Sequence, residues 1–152
     1  MGIDYDIRLA RAEEECAVRR CAEGAFMPYV AAIGQKPAPM TADFHALIAA
    51  GCLYVAVQDD TDILGFIVFY RQGASIQLEN IAVRPDMAGR GIGKRLIGFC
   101  EAEAKRQRAV SVTLYTNAKM TDNLSIYPHL GYQETDRRRE NGFDRVFFEK
   151  CL

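Results

Sequence analysis

Histidine is scarce and cysteine is unpaired in this 152-residue chain: His45 and His129 are its two histidines, and none of its five cysteines forms a Cys-x-x-Cys pair. An odd cysteine count beside two histidines argues against a structural zinc site. Cys16, Cys21, Cys52, Cys100 and Cys151 fall largely in apolar periodic segments, where the thiol serves as a small hydrophobe, and none has the setting of a nucleophile. Reduced thiols point to the cytoplasm. The formal net charge of −1 leaves no global basic field to gather nucleic acid or a membrane surface. No apolar run approaches the ~20 residues that span a bilayer. The opening MGIDYDIRLA lacks an apolar signal core, and Asp6 stands where an N-myristoylation motif needs Ser or Thr. Repeats, linkers and low-complexity segments are also missing, so residues 1–152 read as one domain.

Against these absences stands an ordinary globular composition, 49% hydrophobic and 26% charged. YDIRLA alternates as a first strand. Residues 11–25 have a helical pattern, and Pro37 and Pro39 bar a long helix after it. Thr41 is the expected N-cap of a helix over 42–50 that Gly51 closes. CLYVAVQ and ILGFIVFYR flank DDTD as a hairpin, and SIQLENIAV follows as a third strand of that meander. A long helix over 89–108 carries Ile92, Leu96, Cys100 and Ala104 at i, i+4 spacing, with Glu101 and Lys105 as a surface pair. VSVTLYT is a strand, a short helix stops near Gly131, and Asn141-Gly142 turns a final hairpin. Arg137-Arg138-Arg139 reads as a solvated edge near that hairpin. The order β-α-α-β-β-β-α-β-α-β-β describes an α/β fold with a mixed sheet.

The chemistry gathers around AGRGIGKR. Three glycines at alternate positions cost helix stability, about 1 kcal/mol each within a helix. A P-loop needs G-x-x-x-x-G-K-[ST], but Arg95 follows Lys94 and Ala88 fills the leading position. A dinucleotide fingerprint fails at Lys94, where its third glycine should stand, and the preceding meander is not a βαβ opening. A pyrophosphate held by free amides at a helix N-terminus fits instead. The strand before the loop adds a second signal. Its apolar residues fall at Ile76 and Leu78, then at Ile81 and Val83, so the parity slips across Glu79-Asn80 as at a β-bulge. A strand buried on both faces would give the same pattern. A bulge would free backbone groups for an extended, amide-bearing ligand.

Pyrophosphate joined to an amide-bearing arm describes coenzyme A. IAVRPDMAGRGIGKRLI is similar to the acyl-CoA loop and helix of GNAT-type N-acetyltransferases, and NLSIYPHLGY to their later helix segment. Over essentially the whole length the chain resembles a small single-domain member of that superfamily. The resemblance implies a mixed, mostly antiparallel sheet of about seven strands with a bulged fourth strand and helices on both faces. It implies acetyl-CoA as donor and a small-molecule or protein amine as acceptor, and leaves pairing with a second copy open. Backbone groups of Ile81 and Val83 would hold the pantetheine arm, and Gly89, Arg90, Gly91, Ile92, Gly93 and Lys94 the pyrophosphate. Asn123 would hydrogen-bond the arm, with Asn117 competing for that role, and Tyr127 would protonate the departing thiolate. One departure is Ala88, where the family usually has Gln or Arg.

An alkylammonium with a pKa near ~10.4 must lose a proton before attack, and Glu79, at the parity slip, is the candidate to accept it through water. A backbone N–H near Ile81 or Ala82 would meet the oxyanion. The acceptor should enter between FMPYVAAIGQKPAPM and the RENGF hairpin, with Tyr29, Lys36, Tyr70 and Arg71 as candidate lining. A rival reading, a non-catalytic acyl-CoA-binding sensor, would keep the glycine cradle and have no use for Tyr127.

Overall fold

The computed structural model describes residues 3–152, built around one seven-stranded sheet. Its strands are β1 (Asp6–Leu9), β2 (Leu53–Gln58), β3 (Asp62–Gln72), β4 (Ser75–Val83), β5 (Ser111–Asn117), β6 (Gln133–Glu140) and β7 (Phe143–Cys151). The helices are α1 (Glu15–Ile33), α2 (Phe44–Ala49), α3 (Ile92–Arg106) and α4 (Thr121–His129). The strand order is β1-β2-β3-β4-β5-β7-β6, and among the described residues β4–β5 is the one parallel neighbour pair. None of the described helices is long and apolar enough to cross a membrane.

Each face of the sheet buries its own core. Leu96, Cys100 and Ala104 of α3 pack with Ile76, Leu78, Val112 and Leu114 on one face. Val18, Cys21, Ala22 and Phe26 of α1, a stripe at helical spacing, pack with Val55, Phe66 and Val68 on the other. The charge-rich β6 lies at the sheet edge, and its three arginines are matched by Glu134, Asp136, Glu140 and Asp144. The terminal hairpin turns through Asn141 and Gly142, both at positive φ, as the sequence predicts.

Several boundaries differ from expectation. The first helix runs on through Pro28 to Ile33 and stops at Gly34, so Pro37 and Pro39 act only beyond it, as the N-cap and second residue of the 3-10 turn Ala38–Thr41. Asp43, not Thr41, caps α2, its carboxylate accepting from the Ala46 amide at 3.1 Å. α3 begins at Ile92, because the residues before it form a loop with left-handed glycines. Glu101 does not depend on Lys105. It accepts from Tyr132 Oη at 2.9 Å and Lys150 Nζ at 3.0 Å, which reach it from the strand layer below.

The feature that shapes the site is the bulge. Val68 pairs with Asn80 and Phe69 with Leu78, leaving Glu79 without a partner on β3. The parity slip in the sequence is therefore real: Ile76 and Leu78 belong to the α3-side core, Ile81 and Val83 pack against that same core, and Ala82 belongs to the other. Beyond the bulge β3 and β4 run very close. A Cβ on Gly65 would lie 2.7 Å from the Ala82 carbonyl oxygen, so only glycine fits there. Gly65→Ala should cost about 1–3 kcal/mol of stability through overpacking against backbone, read as a lower urea midpoint. An unchanged midpoint would mean that the two strands are free to separate.

Candidate active site

Parallel pairing between β4 and β5 covers Ile76–Leu78 against Val112–Leu114 and goes no further. Past the bulge the two strands diverge, and a wedge opens between them. The backbone direction within β4 follows from alternation. The Arg84 amide donates to Leu64 O at 2.8 Å, so Arg84, and with it Ala82 and Asn80, turn their backbone groups toward β3. Ile81 and Val83 turn theirs the other way, into the wedge. Of the two oxyanion-binding candidates, Ile81 thus has the available N–H, and Ala82 does not.

One side of the wedge is a groove of about 470 Å³ that reaches the start of α3. Ile81, Ala82, Val83, Gly89, Gly91, Ile92, Gly93 and Lys94 line it, together with Asn123 and Tyr127. Gly89 and Gly91 both have φ of 78°, a conformation that strains any residue with a side chain. The first α-helical bond is Arg95 N–H to Gly91 O, at 3.0 Å, so the amides before it point out of the helix end unmatched. No acidic residue stands in that first turn, while Lys94 and Arg95 do. Cations at a helix N-terminus oppose its dipole, an arrangement that an anion reverses. Arg90 lies outside the groove lining, and Arg95 turns away, its guanidinium 4.4 Å above the Tyr5 ring. Met87, Ile97, Ile126 and Leu130 add apolar walls that sequence reading missed. Ile126 is 49% exposed there, and no local pattern in the sequence marks these four. Free amides, left-handed glycines, a lysine and apolar walls fit a pyrophosphate with a long, uncharged arm.

On the other side lies a narrower cavity of about 50 Å³, bounded by Pro37–Pro39 and Phe26 from the first helical region and by Phe143 and Arg145 from the last hairpin. Gln35 Nε2 donates to Gly142 O at 3.1 Å and ties those two walls together. Glu79 lines this cavity and accepts from Tyr70 Oη at 3.0 Å and Tyr115 Oη at 3.2 Å. Burial, and after it the Glu79 charge, pushes the Tyr70 phenol up to about 12 and raises that of Tyr115. Tyr70 thus stands behind Glu79 and does not itself line the cavity. Tyr29 is also off the lining, 3.4 Å from Asp122 Oδ2, and Arg71 is turned to the Gly73 and Gln107 carbonyls. Asn80, which the sequence reading did not single out, is 4% exposed and borders the same space.

The groove and the cavity meet at Ile81, Asn123 and Tyr127, which line both. Asn123 donates to Thr116 Oγ1 at 3.0 Å, which fixes its amide at that junction. Asn117 borders the cavity alone, and its side-chain oxygen already accepts from the Lys119 amide at 2.9 Å. Tyr127 is held by the rings of Tyr132 and Phe148 at 5.9 and 5.7 Å. Burial alone pushes its phenol up to about 12.

Residues 49–134 match the family model for the acetyltransferase (GNAT) domain, and the chain belongs to that family. No curated protein matches it by sequence. Among solved structures it is similar to the PaiA N-acetyltransferase of Thermoplasma acidophilum in complex with coenzyme A, with a TM-score of 0.76 and 16% identity over 99% of this chain and 100% of the other. The ribosomal-protein-S18-alanine N-acetyltransferase of Escherichia coli gives 0.76 and 16% over 97% and 94%. A GNAT-family acetyltransferase of Staphylococcus aureus Mu50 gives 0.81 and 16% over 98% and 99%. Identities this low speak for a shared fold.

Burial gives Tyr127 a measurable signature. Its phenol holds its proton to about 12 in the folded protein but ionises near ~10 in the unfolded chain. The stability that its neutral form carries is complete below pH ~10 and is lost as pH rises through about 12. Tyr127→Phe should therefore show a shallower alkaline fall of Tm than the wild type. Parallel falls would mean that water reaches the hydroxyl freely.

Proposed function

We propose that this protein transfers an acetyl group from acetyl-CoA to a primary amine by direct attack, with both substrates bound at once. The observation that carries this reading is the junction at Ile81, Asn123 and Tyr127, where a groove ending on free helix-end amides meets a cavity containing a carboxylate. Two of the structural neighbours are N-acetyltransferases by name, and one of them contains coenzyme A. A pure sensor would need the groove but not the cavity behind it. The free cysteines fit a reducing compartment such as the cytoplasm.

When bound, acetyl-CoA supplies an acyl group activated as a thioester. The amides of residues 89–94 and Lys94 hold its pyrophosphate, and the outward backbone groups of Ile81 and Val83 pair with the amide-bearing arm as a further strand would. Asn123 steadies that arm. Glu79, directly or through water, takes a proton from the incoming ammonium, so that a neutral nitrogen faces the thioester. The Ile81 N–H meets the negative charge growing on the acyl oxygen, a contribution of about 3–4 kcal/mol for a preorganised donor. Tyr127, protonated across the neutral range, gives its proton to the departing sulfur. The tyrosinate left behind is a strong base and regains a proton from the nitrogen, so the net transfer runs from amine to thiol.

Calorimetric titration with acetyl-CoA, followed by thiol release in the presence of amines, tests the reading. Wild type should bind acetyl-CoA at micromolar concentration in preference to ATP and NAD. Gly93→Asp puts a carboxylate into the cradle at a position where Asp favours the helix itself. It should lower affinity about tenfold or more, ~1.4 kcal/mol, with Tm maintained. Tyr127→Phe should bind normally and release thiol far more slowly. Unchanged affinity in Gly93→Asp would remove the phosphate site, and equal rates in Tyr127→Phe would remove the acid.

A further inference from the structure

The acceptor cavity contains one fixed positive charge and one fixed negative charge, and neither is cancelled by the other. Arg145 is 6% exposed, on β7, and borders the cavity. Its guanidinium lies 4.3 Å from the Tyr115 ring centroid and 5.6 Å from that of Phe143, so its plane is set by two aromatic rings. Among the described residues its one carboxylate partner is Glu140, which takes Nη1 at 2.7 Å through a single oxygen and gives the other to Arg138 at 3.2 Å. A guanidinium has five N–H donors, and its fork is suited to both oxygens of a carboxylate. Most of that capacity remains unused.

Glu79 lines the same cavity, beside Asn80. Asn80 Nδ2 donates to Pro39 O at 3.0 Å, but its buried Oδ1 has no partner among the described residues. An orphaned buried acceptor costs about 1–3 kcal/mol until an N–H reaches it. A primary amine has several N–H groups, enough to serve Glu79 and Asn80 Oδ1 at once. Tyr115 sets the spacing of the two poles, since its hydroxyl donates to Glu79 while its ring lies beneath Arg145. A molecule carrying both an amine and a carboxylate complements the two poles, and a polyamine would drive a second positive charge against Arg145.

We propose that the acceptor is a small amino carboxylate, an amino acid or close analogue, whose carboxylate is held by Arg145 while its amine is held by Glu79 and Asn80. This rests on the acetyl-transfer reading above and adds the substrate class to it. Arg145 is then the residue that sets specificity, and Asn80 aims the nitrogen.

The test offers acetyl-CoA with each common amino acid, β-alanine and γ-aminobutyrate, every acid beside its own amide. Thiol release is followed in wild type, Arg145→Gln and Arg145→Lys. The amides have the less basic amines and are favoured by chemistry alone, so a preference for acids has to come from the protein. Wild type should prefer at least one acid over its amide about tenfold or more in kcat/KM. Arg145→Gln should lose that preference through a raised KM for the acid, with the amide rate little changed, and Arg145→Lys should recover part of it. Equal wild-type rates on acids and amides would overturn the proposal and leave acetyl transfer standing; that comparison needs no variant, so it decides even if Arg145→Gln fails to fold. A loss in Arg145→Gln shared equally by acids and amides would also overturn it, giving Arg145 a structural role. If no amine releases thiol, the rise in Tm of the coenzyme A complex with each acid and amide decides instead, and no rise overturns the proposal. Failure of acetyl-CoA itself to bind would overturn both readings together.

Discussion

The unpaired residue at Glu79 is the constraint on which the rest of the site depends. One extra residue in β4 shifts its side chains by one position and bends the strand away from β5. Three consequences follow together. The parallel pairing stops at Leu78, Ile81 and Val83 keep outward backbone groups, and Glu79 and Asn80 arrive side by side at the cavity wall. A regular strand would have closed the sheet and buried the same residues against β5. The close approach at Gly65 keeps the displaced strand against β3.

The second constraint is electrostatic. α3 has Gly91 as its N-cap in a left-handed conformation, has no acidic residue in its first turn, and carries Lys94 and Arg95 there. The last two choices work against the helix in isolation. Arg95 recovers something from the Tyr5 ring, while Lys94 remains on the groove. The arrangement is unfavourable for the free protein and favourable once an anion sits on the amides. On the other face the balance is different: Glu79 and Arg145 are opposite charges separated by a tyrosine, each partly matched by protein groups and each with capacity left for a ligand.

How much of this was legible in the sequence depended on whether the signal was local. The bulge was one of two readings of Ile76, Leu78, Ile81 and Val83, because side-chain alternation makes a one-residue slip visible in a single strand but a strand buried on both faces looks the same. The terminal hairpin was visible in Asn141-Gly142, and the groove in the spacing of Gly89, Gly91 and Gly93. The extent of α1 was not, since Pro28 costs one hydrogen bond and the core contacts of Val18, Cys21, Ala22 and Phe26 outweigh it. Glu101 looked like a surface partner for Lys105 because its actual partners, Tyr132 and Lys150, are distant in sequence. The acceptor side was legible as a location between two segments, but Arg145 and Asn80 were not, because their importance lies in what they face across the sheet. Tyr70 and Tyr29 had the right chemistry, and the fold turned both to other partners.

The central claim is that the bulge leaves the backbone of Ile81 and Val83 available inside an otherwise regular strand. Amide hydrogen exchange, resolved by residue, measures this directly. In the free protein the Ile81 and Val83 amides should exchange much faster than those of Ala82 and Arg84 on either side. Addition of acetyl-CoA should slow at least one of the exposed pair and the amides of residues 89–94. Equal protection at all four strand positions in the free protein, or no change on adding acetyl-CoA, would contradict the account.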